Sequence, residues 1–116
     1  MSDVTIYHNP RCSKSRQTLQ LLEEQGINPD IVLYLETPPD RDTLKAIISK
    51  LGIPIRELLR TGEQEYKDNT LKNPALDDEA LLDAMVRWPK LIQRPIVVKG
   101  NNARIGRPPE AVLEIL

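Results

Sequence analysis

The chain has 116 residues, enough for one domain with a real core and little more. Lysine and arginine number 16 against 17 aspartates and glutamates, a net charge of −1. That balance argues against a broad basic face for nucleic acid and against a long acidic tail. A single cysteine forms no internal disulfide, and one histidine with one cysteine excludes an all-protein zinc cage, so no metal is expected. No apolar run approaches the ~18 residues that a membrane span needs. Met1-Ser2-Asp3-Val4 lacks the basic-then-apolar order of a signal peptide, so a cytoplasmic protein without membrane contact is expected.

Val4-Thr5-Ile6-Tyr7 is a β-branched and aromatic run closed by Asn9-Pro10, read as a first strand and a turn. Residues 13–25 carry Leu19, Leu21 and Leu22 among polar neighbours, an amphipathic helix stopped by Gly26. Ile31-Val32-Leu33-Tyr34 is apolar throughout and reads as a second strand covered on both faces. After Pro38-Pro39, Leu44, Ile47, Ile48 and Leu51 keep helical spacing, with Asp40 or Asp42 as the cap and Gly52 as the stop. Pro54 suits the first position of a short helix that turns Ile55, Leu58 and Leu59 inward. Residues 61–74 are polar and irregular and read as a mobile loop. Asp77-Asp78 opens a helix through Leu81, Leu82, Met85 and Trp88, ended by Pro89. Residues 96–99 and 103–105, joined by Gly100-Asn101-Asn102, read as a hairpin. Pro108-Pro109-Glu110 begins a last helix with Val112, Leu113 and Leu116 as its apolar face.

A β-α-β opening implies a parallel pair, and a closing hairpin adds antiparallel strands. The expected fold is α/β: a thioredoxin-like, mixed four-stranded sheet with flanking helices. One domain over residues 1–116 is expected, with a helical insertion at about 40–88.

Cys12 falls in the turn between the first strand and the first helix, beside His8, Arg11, Lys14 and Arg16. Free N–H groups and the positive end of the helix dipole converge there, and both stabilise an anion. A thiol so placed is more acidic, and the same N–H groups can hold an oxyanion. A free cysteine is often simply a small buried hydrophobe, but the basic turn favours reactivity. Position 15 is Ser, so there is no Cys-x-x-Cys pair and reduction needs an external thiol. The Ser13 and Ser15 hydroxyls could hydrogen-bond the thiolate. His8 is either a cation that favours the thiolate or a strand-end imidazole bonded locally. Arg60, Arg94 and Arg107 each stand at the end of an element, where arginine suits a bidentate oxyanion contact; the alternative is a solvated charge. An X-Pro bond leading into the third strand, Arg94-Pro95, is where thioredoxin-like folds keep a cis proline.

Segments 6–16, 34–39, 58–60, 91–98 and 107–110 together resemble the glutaredoxin-dependent arsenate reductases of the Spx/arsenate reductase family, in order and over nearly the whole chain. The Cys12 turn and Arg94-Pro95-Ile96 are the specific parts. The resemblance implies reduction of arsenate to arsenite, with arsenate or a similar oxyanion as the bound partner. Cys12 would be the nucleophile, His8 and Ser15 would support its thiolate, and Arg60, Arg94 and Arg107 would hold the oxyanion. It implies glutathione as co-substrate, glutaredoxin as protein partner and no bound cofactor. Residues 61–77 match the family poorly. The alternatives are a glutathione-dependent thiol oxidoreductase with another substrate and an Spx-like transcriptional regulator. The regulators that sense oxidation carry Cys-x-x-Cys, and a thiol transferase would not need the three arginines. A low-molecular-weight phosphatase would need arginine six residues after the cysteine, where Thr18 stands.

Overall fold

A computed structural model describes residues 3–116; Met1 and Ser2 of the segment read for a leader signal lie outside them. The chain divides into two compact units. One combines the chain up to Thr37 with Arg94–Leu116, and the other is Pro38–Gln93, which holds the helices expected between 40 and 88.

The first unit is a four-stranded sheet in the order β2-β1-β3-β4. Strand β1 is Val4–His8, β2 is Asp30–Leu33, β3 is Ile96–Lys99 and β4 is Asn102–Ile105. β1 pairs parallel with β2, Ile6 beside Ile31, and antiparallel with β3, Ile6 beside Val97. The β3–β4 hairpin turns through Gly100, whose φ of 59° no β-branched residue would adopt readily. Alternation along β1 sends Val4, Ile6 and His8 to one face. Val4 and Ile6 meet Leu22, Val97 and Val112 in the core. Helix α1, Ser13–Glu24, covers that face with Ser15, Thr18 and Leu22, while Leu19 and Leu21 are only partly buried against the core.

Three expectations for this unit are corrected. The second strand begins at Asp30 and lies at the edge of the sheet, so Ile31 is 50% exposed instead of covered on both faces. The last helix is a 3-10 helix, Pro109–Ile115, packed on α1 and β4. Its tighter pitch leaves Leu113 exposed and turns Val112, with Ile115 and Leu116, toward the core.

In the second unit, helix α2, Arg41–Leu51, is capped by Asp40, whose carboxylate accepts the Thr43 N–H at 2.8 Å. Gly52 ends it at φ 66°. A 3-10 turn follows at Ile55–Leu58, with Pro54 just before it and not in its first position. The segment expected to be a mobile loop contains helix α3, Gln64–Asp68, and buries Leu71. Arg56 orders what comes next, donating to the carbonyls of Leu71 at 2.9 Å and Asn73 at 2.7 Å. Helix α4, Asp78–Arg87, is capped by Asp77 and packs on α2, where Arg41 pairs with Glu79 and Asp83. Trp88 follows α4 and its ring lies 4.9 Å from the Arg87 guanidinium. A 3-10 turn at Pro89–Leu91 leads to an antiparallel bridge between Leu59 and Ile92. Among the described residues no helix is long and apolar enough to cross a membrane.

Candidate active site

Cys12 is the N-cap residue of α1, with extended backbone at φ −94° and ψ 125°. Its own N–H donates to the Asn9 carbonyl at 3.0 Å, and its carbonyl accepts the Arg16 N–H at 3.0 Å. The chain therefore reverses tightly from β1 into α1 around this residue. Asn9 fixes the reversal from both sides. Its side-chain oxygen accepts the Arg11 N–H at 3.0 Å, and its own N–H donates to Ser15 Oγ at 3.0 Å. Arg16 closes the loop by donating to the Pro10 carbonyl at 2.9 Å.

The Cys12 thiol is partly exposed. Partial burial alone would push its pKa up. That is outweighed by the Ser15 N–H, then the Arg94 charge, the Lys14 N–H and the Arg107 charge, so the thiol titrates below its ordinary 9.0. The sulfur closes no hydrogen bond of ordinary cap geometry, so the pull of those two amides is that of oriented dipoles at the helix start.

Arg107 spans two segments. Its Nε donates to the Arg94 carbonyl at 2.8 Å, and its Nη2 donates to Cys12 Sγ at 3.7 Å. Gly106 makes that approach possible. A Cβ there would lie 2.5 Å from Thr18 Oγ1 and 2.8 Å from Pro95 Cγ, so only glycine lets the end of β4 pass α1 so closely. Both Arg94–Pro95 and Arg107–Pro108 are cis peptides. The Nε of Arg94 is buried with no hydrogen-bond partner among the described residues, an orphan donor in a site rich in positive charge.

His8 and Ser15 are both buried, with Nδ1 and Oγ 2.6 Å apart. Burial, and then the nearby Arg16 charge, lower the His8 pKa from 6.5, so the imidazole is neutral at neutral pH. Of the two possibilities open from sequence, the local hydrogen bond is present, to Ser15. His8 meets the thiol turn through Ser15, whose N–H favours the thiolate and whose hydroxyl is held by His8 and Asn9.

The first unit thus brings together Cys12, Ser15, His8, Arg94 and Arg107. Arg60 belongs to the second unit. There its N–H donates to the Leu91 carbonyl at 2.8 Å, and its Nη1 pairs with Glu63 Oε1 at 2.8 Å. In the sequence Asn9-Pro10 marks only a turn, and the positioning role of the Asn9 side chain emerges from the structure. An asparagine two residues before an N–H is itself a signal for a side-chain-closed turn. Among the described residues no group of three or more His, Cys, Asp or Glu could hold a metal ion.

The sheet order and the parallel β-α-β opening, with a single cysteine of lowered pKa at the first helix start, define a protein of thioredoxin-like fold. Residues 7–115 match the model of the ArsC family, and the chain belongs to that family. It is 47% identical over 116 residues to an arsenate reductase of Escherichia coli, spanning all of this chain and 82% of that one. It is 58% identical over 114 residues to the Escherichia coli K12 protein YfgD, covering 97% and 96% of the two chains. A solved structure of arsenate reductase from Vibrio cholerae is similar with a TM-score of 0.96, at 54% identity over 97% of each chain.

Proposed function

We propose that the protein is an arsenate reductase that draws its electrons from glutathione and is recycled by glutaredoxin. The observation that supports this most directly is the acidified Cys12 thiol between helix-start amides and two guanidinium groups. A thiolate approaching an arsenate dianion meets charge repulsion, which Arg94 and Arg107 offset. The Cys12 sulfur bonds to arsenic and a hydroxide leaves as water after protonation. Glutathione thiolate then attacks the Cys12 sulfur. The new S–S bond forms as the S–As bond breaks, and its electron pair stays on arsenic, which leaves as arsenite. Glutaredoxin, through its own thiolate, takes the glutathionyl group and releases Cys12 as thiolate. His8 and Ser15 act by holding the Ser15 amide toward the sulfur. No resident cofactor takes part, and the thiols of cytoplasm would serve as the reductants.

The test is arsenate-dependent NADPH oxidation coupled through glutathione reductase, with and without glutaredoxin. Turnover that needs arsenate, glutathione and Cys12, and rises with glutaredoxin, is the expected result. Cys12→Ser that still turns over, or a wild-type protein inert to arsenate, would refute the reading.

A further inference from the structure

A cavity of about 340 Å³ opens beside the thiol turn, lined by His8, Pro10 and Arg11 of the turn and by Leu33, Leu35 and Glu36 at the end of β2. Cys12, Arg94 and Arg107 do not line it, so it is distinct from the place given above to the oxyanion. Its size falls in the range of small-ligand sites, roughly 300–1,000 Å³. Pro10, Leu33 and Leu35 make it partly apolar, and Leu35 is 42% exposed. Arg11 and Glu36 are both exposed, and neither side chain has a hydrogen-bond or ion-pair partner among the described residues. One cation and one anion left unpaired around one cavity suit a ligand with both charges. A simple oxyanion would be repelled by Glu36, and a simple amine by Arg11.

We propose that this cavity seats the second substrate, a small zwitterionic thiol peptide. Arg11 holds a carboxylate, Glu36 holds the α-ammonium, and Pro10, Leu33 and Leu35 cover the chain between. The proposal rests on the reading above, under which the peptide is glutathione. Arg11 immediately precedes Cys12, which sets a peptide anchored there beside the thiol turn.

S-methylglutathione, whose sulfur is blocked, reads binding without turnover. Titrated into the isotope-labelled protein, it should shift amide signals of residues 9–11 and 33–36. Arg11→Gln and Glu36→Gln should each weaken that binding by about tenfold. Each should raise the KM for glutathione to a similar degree, with the KM for arsenate and the alkylation rate of Cys12 as in the parent. Absent shifts, shifts confined to other residues, or unchanged affinity in both variants would overturn the subsite. A protein that reduces arsenate with glutathione yet binds the analogue elsewhere loses the subsite alone. One that binds the analogue here but never turns over arsenate loses the arsenate reading and keeps the subsite.

Discussion

At Cys12 three influences outweigh the cost of partial burial: helix-start amides, Arg94 and Arg107. Alkylation by iodoacetamide followed against pH should give a midpoint below 9.0, and Arg107→Ala should move it upward. A midpoint unmoved by that change would remove Arg107 from the account. Because the folded pKa is the lower one, the thiolate adds stability that is complete above the unfolded value and is lost as pH falls through the folded value. His8 works in the opposite chemical sense with the same slope. The unfolded imidazole takes up its proton near 6.5 and the folded one only at lower pH, so below 6.5 the unfolded state binds more protons. Stability should therefore fall from about pH 7 to about pH 5. Urea midpoints measured over that range should slope less in His8→Asn; an equal slope would mean that another group titrates. The lowered pKa of Cys12 was legible because charge, position and helix start all agree at residue 12. The sequence could not show the state of His8, because burial in the fold is the larger cause of that pKa and the local residues record only Arg16.

At the level of elements, the helices with strong punctuation were readable. Asp40, Gly52 and Asp77 each act where the chain order placed them. Asp77→Ala should cost about 1 kcal/mol through loss of the Ala80 N–H contact, measured by chemical denaturation. What sequence concealed were elements set by partners far along the chain. The residues after Thr61 look like loop because few are apolar, yet Arg56 supplies the carbonyl partners that shape residues 71–73. Apolar content made Ile31 look buried, but strand order is a property of the sheet, and β2 sits at its edge. The end of β4 gives the sharpest test. Gly106→Ala must push against Thr18 and Pro95, so it should destabilise by about 1–3 kcal/mol. It should also slow Cys12 alkylation at neutral pH by displacing Arg107. A variant as stable and as reactive as the parent would show that α1 can retreat without cost.

For the whole molecule, β1 pairs with β3 from Val4 opposite Lys99 to Tyr7 opposite Ile96, while Pro38–Gln93 is built from one continuous stretch. The consequence appears on the ribosome. The chain emerges from its N-terminus, so β1, one of the two inner strands of the sheet, is exposed to solvent long before its antiparallel neighbour is synthesised. During that interval β1 has only β2 beside it, and a parallel pair alone is a weak structure. The continuous stretch has its partners close in sequence and faces no such delay. Stalled nascent chains that carry residues 1–95 followed by a linker long enough to clear the exit tunnel should resist protease within residues 38–93 and be cut within residues 3–37. Release of a chain reaching Leu116 should protect both. Equal protection of the first 37 residues in the shorter chain would mean that β1 and β2 fold without the hairpin. Synthesis itself would then set the order of events: Cys12 has the amides of its own helix start first and gains Arg94 and Arg107 last.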